Sequence, residues 1–188
     1  MKPTRADLFR GELLRFAASQ PEDADILAAY TEDYAYMMDV DTEYAVPQNA
    51  DAIRALEVPR DAIEFMLRTL DDDHLVGFAA LHGIEWNNQS AKLAVGIGDP
   101  DDRGKGYGID AVRMTLRYAF HELNLNRVSL EVIAYNEAAY RTYLKAGFTQ
   151  EGRLRSAVLR GGQSFDLIVM GILRHEWAAG QTAGKQLR

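Results

Sequence analysis

The stretch DDRGKGYG, residues 101–108, decides the fold of this chain. Residues 93–97 before it form a short apolar run typical of a strand, and an amphipathic segment follows it directly. Glycines let the backbone curl so that successive N–H groups point inward, and a helix N-terminus adds partial positive charge. The order strand, glycine-rich loop, helix therefore predicts a site for a phosphate or pyrophosphate group.

Two common phosphate-binding motifs do not fit this loop. The P-loop requires Ser or Thr after its Gly-Lys pair, whereas Lys105 is followed by Gly106. The dinucleotide-binding motif places its glycines after the first strand, whereas this loop lies in the middle of the chain. Taken alone, the loop is equally compatible with a plain turn that starts a helix, because short glycine patterns have many false positives.

Composition narrows the class of protein. The chain has 188 residues, 47% hydrophobic and 26% charged, which is typical of one soluble globular domain. We expect that domain over residues 1–177, with a frayed tail over residues 178–188.

Composition also excludes several kinds of chemistry and partner. The chain has no cysteine, which excludes cysteine-based nucleophiles and metal sites, and we expect no metal. The formal net charge of −7 argues against nucleic acid as a partner. Without an apolar run long enough for a signal peptide or membrane helix, we expect a cytoplasmic protein with no membrane partner.

Hydrophobic periodicity predicts an α/β class with a mixed, mostly antiparallel sheet. Residues 62–70 and 74–81 flank an acidic turn and are interpreted as a hairpin, although the first run also fits a helix. The remaining expected elements are a strand within 8–18, helices over 20–34 and 49–56, a strand at 91–98, a helix from 108, a strand at 127–134, a short helix up to 146 and a hairpin of 154–160 with 165–173. Residues 34–44 follow no pattern that we could assign.

Three segments resemble motifs of the GCN5-related N-acetyltransferase (GNAT) family. Residues 103–108, RGKGYG, resemble its Arg/Gln-x-x-Gly-x-Gly/Ala loop. Residues 136–148, NEAAYRTYLKAGF, resemble its Asn-x-x-Ala…Tyr-x-Lys-x-Gly-Phe segment, one helix and one strand later. The ending at 165–177 is similar to the branch of ribosomal-protein and spermidine acetyltransferases. The resemblance implies a GNAT-like fold of about six or seven strands and about four helices.

The same resemblance implies acetyl-CoA as co-substrate and assigns its binding residues. The pyrophosphate would lie on the loop formed by Arg103, Gly104, Lys105, Gly106, Tyr107 and Gly108. The pantetheine arm would pair like a strand with Val95, Gly96 and Ile97, where the missing side chain of Gly96 leaves room, and Asn136 would hydrogen-bond the same arm.

Acetyl transfer requires an amine that loses a proton, a polarised carbonyl and a protonated leaving thiolate. Tyr143 matches the family's position for the thiolate acid, and the alternative is an aromatic ring that only packs. Glu131 matches the base of the ribosomal-protein branch, with His82, Glu85 and a water relay as alternatives. Asp110 is interpreted as an acid that stabilises a helix N-terminus. Asp166 on the last strand is either a carboxylate that meets a substrate amine or an edge residue.

The predicted function is transfer of an acetyl group to a primary amine, either a small molecule such as a polyamine or a protein N-terminus. Direct attack on the thioester is expected because no cysteine is present to form an acyl-enzyme. A non-catalytic acyl-CoA-binding sensor or assembly module is the alternative, and use of a longer acyl-CoA is a third possibility. A homodimer through the C-terminal strands is a further expectation, which comes from the resemblance to the family. The sequence leaves the acceptor open, since the acids Asp33, Asp39, Asp41 and Glu43 suit either a cationic acceptor or a solvated loop.

Overall fold

The computed structural model describes residues 7–186, and side chains as far as residue 181. Within this range the chain forms seven strands, six α-helices and a 3₁₀ turn at Pro100–Asp102. The strands are β1 Leu14–Ala17, β2 Ile63–Thr69, β3 Leu75–Glu85, β4 Ser90–Ile97, β5 Arg127–Ile133, β6 Thr149–Arg160 and β7 Gln163–Leu173. The helices are α1 Asp23–Glu32, α2 Tyr34–Val40, α3 Ala50–Arg54, α4 Tyr107–His121, α5 Glu137–Ala146 and α6 Arg174–Gln186.

All seven strands belong to one sheet, in the order β1-β2-β3-β4-β5-β7-β6. Every neighbouring pair is antiparallel except β4 and β5, which run parallel. A parallel pair requires a crossover connection, and α4 supplies it. The predicted mixed, mostly antiparallel sheet is confirmed, as is the hairpin of β2 and β3.

Helices cover both faces of the sheet. On one face, α4 packs against β4, β5 and β7 to form the main core. The helix contributes Val112, Leu116 and Phe120, and the strands contribute Leu93, Val128, Leu130 and Met170. On the other face, α1 and α2 bring Tyr30 and Tyr36 against the last residues of β4. The C-terminal half of β4 is therefore held between α4 on one side and α1–α2 on the other.

The parallel pair opens along its length. Only three ladder pairs join the two strands, and they end at Lys92 and Ser129. Beyond that point β4 continues to Ile97 and β5 to Ile133, with no ladder pair between them in the described chain. The peptide groups of β4 that face β5 are left available at this opening.

Two expectations from the sequence are corrected, one near each end of the chain. The first strand covers only Leu14–Ala17 within the expected 8–18. Residues 178–186 continue helix α6, so the expected frayed tail is helical there, and residues 187 and 188 lie outside the described range. Trp177 holds the start of α6 by packing 5.3 Å from the ring of Phe120. Residues 34–40, which had no assigned pattern, form α2. No helix in the described range is long and apolar enough to cross a membrane.

Candidate active site

A cleft of about 450 Å³ lies where β4 and β5 separate. It is lined by the end of β4, the glycine-rich loop, the start of α4, α5 and one face of α2. The predicted residues that line it are Val95, Gly96, Ile97, Arg103, Gly104, Gly106, Gly108, Asn136 and Tyr143. Lys105, Tyr107 and Glu131 do not line it. One cleft thus collects residues that are nearly 50 positions apart in the sequence.

The glycine-rich loop lines one part of the cleft and has unpaired backbone N–H groups. Gly104 and Gly106 have φ values of +77° and +91°, a left-handed conformation that other residues rarely adopt. The 3₁₀ turn uses the N–H groups of residues 101–103. Within the described chain, the N–H groups of residues 104–109 have no hydrogen-bond partner. Together with the N-terminus of α4, they form an anion site that suits a pyrophosphate.

The cationic side chains of the loop are already paired with acids. Lys105 Nζ donates to Oδ1 of Asp102 at 3.0 Å, and this hydrogen bond raises the pKa of Lys105. Arg103 lies 3.8 Å from the carboxylate of Asp33. Asp102 is buried, and its other oxygen lies 3.0 Å from Nε2 of His74. The backbone, rather than Lys105, therefore provides most of the loop's attraction for an anion.

Gly96 packs closely against two side chains. A Cβ on Gly96 would lie 2.8 Å from the hydroxyl oxygen of Tyr36 and 2.6 Å from Cε1 of Phe78. The pleat of β4 turns this position toward α2 and not along the open edge. Gly96 is thus required for packing of Tyr36 and Phe78, and the expectation that its missing side chain leaves room for a ligand arm stays a prediction. The ligand arm retains the open backbone edge of β4.

Asn136 begins helix α5 at the rim of the cleft. Its Oδ1 accepts a hydrogen bond from the N–H of Ala139 at 3.1 Å, which caps the helix. Its Nδ2 has no partner in the described chain, so the amide can still donate to a ligand carbonyl. The cap restrains the orientation of the Asn136 side chain.

Tyr143 lies on α5 and contacts both the cleft and the core. Its ring meets that of Phe148 edge-on, with centroids 5.9 Å apart. Burial raises its pKa to about 12, so the hydroxyl keeps its proton at neutral pH. The hydroxyl has no hydrogen-bond partner among the described residues. The packing of the ring thus leaves the hydroxyl protonated and without a partner in the described chain, and the proton-donor role stays a prediction.

Glu131, the predicted base, stands beside the cleft on β5. Its Oε1 accepts a hydrogen bond from Nζ of Lys92 at 2.9 Å. Lys92 pairs in the β3–β4 ladder with His82, the alternative base. Partial burial, and then the charge of Lys92, lower the pKa of His82, so its ring is neutral at pH 7. His82, Lys92 and Glu131 thus form a row across three strands, on the same side of β4 as Gly96.

Asp39 is the one of the four acids left open by the sequence, as a cationic-acceptor site or a solvated loop, that lines the cleft. It lies on α2, is exposed to solvent, and lines the cleft together with Tyr36. Burial raises the pKa of Asp39 and outweighs the opposing effect of Arg103, while Asp33 adds to the rise. A carboxylate with a raised pKa in a cleft is a common feature of functional sites. Because α2 had no recognisable pattern, only the structure brings Asp39 to the cleft.

The other candidate acids have structural contacts. The side chain of Asp33 accepts from the N–H of Ala35 at 2.9 Å and caps α2, and that of Asp41 accepts from the N–H of Glu43 at 3.1 Å. Asp166 is paired with Arg153 of β6 at 2.9 Å, and it lies on the inner strand β7, which corrects the expectation of an edge residue. Among the described residues, no group of three or more His, Asp or Glu is placed to hold a metal ion.

Comparison with known proteins agrees with this geometry. Residues 13–149 match the family model for the GNAT acetyltransferase domain. The chain is 31% identical over 137 residues to a Bacillus subtilis protein named provisionally as a ribosomal N-acetyltransferase, covering 70% of this chain and 74% of that protein. It is 32% identical over 108 residues to the spermidine N(1)-acetyltransferase of Escherichia coli, covering 57% and 58%.

Among solved structures, the fold is similar to that of a spermidine N-acetyltransferase from Vibrio cholerae in complex with CoA and spermine. The TM-score is 0.80 at 24% identity, and the match covers 88% of this chain and 98% of the other. At this identity the likeness shows a shared fold. That fold includes the sheet and the α4 crossover described above.

Proposed function

The chain belongs to the GNAT family of acetyltransferases, and from this premise we propose that it acetylates a small cationic amine within the cleft between β4 and β5. The protein is an N-acetyltransferase that uses acetyl-CoA as co-substrate. The observation that carries the proposal is the single cleft in which an anion site, an open strand edge, Tyr143 and Asp39 meet.

Binding of acetyl-CoA is assigned to the backbone of two segments. The free N–H groups of residues 104–109 suit its pyrophosphate, with Arg103 as an additional cation. The unpaired edge of β4 at Val95 and Ile97 suits the amide groups of the pantetheine arm, and Asn136 donates to the same arm from the opposite side. When bound there, acetyl-CoA supplies the activated acyl group.

Two proton transfers complete the reaction in this proposal. Tyr143 keeps its proton at neutral pH and gives it to the sulfur that leaves as the new N–C bond forms and the C–S bond breaks. Glu131 takes the proton of the attacking amine, either directly or through water, and Lys92 holds its carboxylate in place. His82, which is neutral at pH 7, is the second candidate for this role. Direct attack requires no covalent enzyme intermediate.

The acceptor is assigned to small amines that carry additional positive charge, the class to which polyamines belong. Asp39 presents a carboxylate inside the cleft, and the net charge of −7 favours cations in general. A relative named as a spermidine acetyltransferase supports the same class. A protein N-terminus, a homodimer and a cytoplasmic location remain further predictions from the sequence.

A thioester-consumption assay across amines, amino acids and N-terminal peptides tests the proposal. We expect wild-type protein to release CoA with polyamines and diamines, and Tyr143→Phe to lose turnover while it still binds CoA. The non-catalytic alternative, which the comparisons do not support, predicts CoA binding without acetylation of any amine. That result, obtained with wild-type protein, would overturn the assignment.

A further inference from the structure

A second cavity, of about 710 Å³, lies between α1, α3 and strands β2 and β3. Most of its wall is apolar, including Ala24, Leu27, Ile53, Leu56, Val58, Met66 and Phe78. Leu56 and Val58 are 65% and 54% exposed, so two large apolar side chains remain in contact with water at this cavity. Its volume is within the range of roughly 300–1,000 Å³ that is typical of sites for small molecules.

Glu64 is the acid that distinguishes this cavity from a plain apolar hollow. It lies on β2, two residues before Met66, so both side chains point to the same face of the sheet and both line the cavity. In the described chain, the carboxylate of Glu64 has neither a hydrogen bond nor an ion pair. Glu64 remains exposed to solvent, and partial desolvation by the surrounding protein raises its pKa.

The charges around the cavity favour a positively charged ligand. Arg54 is the cation in the cavity wall, and its guanidinium is already paired with Asp25 and Asp51, each at 2.9 Å. Glu57 is a second acid in the wall. A ligand cation would therefore meet an unpaired carboxylate at Glu64 and no competing free cation among the described residues of the wall.

We propose that this cavity is a second ligand site, for a small molecule with an apolar body and one protonated amine that Glu64 binds. The apolar wall removes the body of the ligand from water, including the surfaces of Leu56 and Val58. The carboxylate of Glu64 accepts hydrogen bonds from the ammonium group.

The site is distinct from the acetyl-transfer cleft but shares a wall with it. Tyr36 lines both cavities. Phe78 lines the second cavity and also packs against Gly96, which lines the cleft. The glycine-rich loop, Asn136 and Tyr143 line only the cleft. A ligand at Glu64 is thus separated from the transfer chemistry by the side chains of Tyr36 and Phe78.

Isothermal titration calorimetry with phenethylamine tests this site on the full chain saturated with CoA, which blocks the cofactor part of the cleft. We expect phenethylamine to bind with a one-to-one stoichiometry and phenethyl alcohol, its uncharged analogue, to bind at least about tenfold more weakly. Glu64→Gln removes the charge at nearly constant volume, and we expect it to weaken phenethylamine binding by a similar factor. Glu32→Gln makes the same charge change on α1, outside both cavities, and leaves binding unchanged.

Three results would overturn the proposal. Equal binding of the amine and the alcohol, or an affinity that Glu64→Gln does not change, removes the role of the carboxylate. Acetylation of phenethylamine with a KM that depends on Glu64 makes the cavity part of the acceptor site rather than a second site. Light scattering that shows a dimer broken by Leu56→Asp, with no amine binding, assigns this surface to a second copy of the chain. Binding is read without turnover, so failure here is distinguishable from failure of the proposed acetyl transfer.

Discussion

The carboxylate of Asp110 on α4 accepts a hydrogen bond from the backbone N–H of Leu14 on β1 at 2.9 Å. The same carboxylate accepts from the N–H groups of Glu12 at 3.0 Å and Leu13 at 2.8 Å. Asp110 is only 6% exposed, and a Cβ on Gly11 would lie 2.4 Å from its Oδ2. The helix that presents its N-terminus to the cleft therefore also anchors the first strand of the sheet, about a hundred residues earlier in the chain.

Asp110→Asn is expected to destabilise the protein. An amide has one acceptor oxygen in place of two, and its NH₂ group would face N–H donors that need an acceptor. The loss of charge-assisted hydrogen bonds in a buried site corresponds to about 2–3 kcal/mol in the free energy of unfolding. Urea denaturation of wild type and variant, followed by circular dichroism, measures the difference.

Glu137→Gln is the matched control for this change. Glu137 is exposed in the first turn of α5, where it pairs with Arg141 at 3.0 Å. An exposed pair of this kind contributes at most about 0.5 kcal/mol. Equal losses of stability in the two variants would mean that the contacts of Asp110 with β1 stabilise the protein no more than an exposed ion pair does.

Gly104→Ala is expected to weaken binding of acetyl-CoA. The φ of +77° at Gly104 disfavours any Cβ by roughly 1–2 kcal/mol, although the space around it is open. Relief of this strain would turn N–H groups of the loop away from the pyrophosphate. We expect the KM for acetyl-CoA to rise about tenfold, with a smaller change in kcat, in steady-state assays.

Gly161→Ala introduces the same kind of strain far from the cleft. Gly161 has a φ of +55° in the turn between β6 and β7, and no atom lies within 4 Å of its would-be Cβ. This variant should lose a comparable amount of stability and keep its KM for acetyl-CoA. A rise in KM in both variants would attribute the effect to general loosening of the fold.

Sequence periodicity was sufficient for elements whose stability is encoded locally. Helix α4 has a continuous apolar face, and the α5 helix ends where Gly147 adopts a φ of +101°. The turn of the loop was also predictable, because Gly104 and Gly106 are residues that tolerate positive φ. These features depend on neighbours a few residues away, so the linear pattern contains them.

Helix α2 and the position of Asp39 depend on distant contacts. The hydroxyl of Tyr135 donates to the carbonyl of Met38, and Arg160 donates to the carbonyl of Asp41 at 2.9 Å. Both partners lie about a hundred residues later in the chain. The seven residues of α2 are too few to form a stable helix alone, so their pattern gave no signal. Likewise, the reason for Gly96 became clear only when Tyr36 and Phe78 were located.

Tyr143→Phe is expected to lower kcat by about a hundredfold or more, with little change in the KM for acetyl-CoA. The ring remains in place against Phe148, so only the proton donor is lost. Because burial raises the pKa of Tyr143 to about 12, the neutral form predominates throughout an ordinary assay range. The pH–rate profile of wild type should therefore show no loss of activity from ionisation of Tyr143 up to about pH 10. Equal KM and kcat in the variant would leave Tyr143 with a packing role only.

The two candidate bases differ in their response to substitution. We expect Glu131→Gln to lower kcat by about a hundredfold and His82→Gln to change it much less. The opposite order would assign proton removal to His82.

The effect of His82 on stability can be measured separately from its effect on kcat. Because the pKa of His82 is lowered in the folded protein, the unfolded chain binds the proton more readily. The contribution of neutral His82 to the free energy of unfolding is complete above the ordinary histidine pKa and is lost as the pH falls. His82→Gln should therefore reduce the loss of stability below about pH 6.5, as measured by urea titrations.

Asp39→Asn tests which acceptors the cleft selects. The variant keeps the size of the side chain and removes its charge, so an acceptor with a second ammonium group should bind about tenfold more weakly. The KM for a polyamine should rise by that factor, whereas the KM for a monoamine of similar length should change little. As the pH falls, protonation of Asp39 should remove the preference of the wild type for the polyamine. Because the pKa of Asp39 is raised, this decline should begin at a higher pH than it would with an ordinary carboxyl group. Asp41→Asn, an equal charge change at the end of the same segment, is the control. Equal effects on both acceptors would place the second ammonium group away from Asp39.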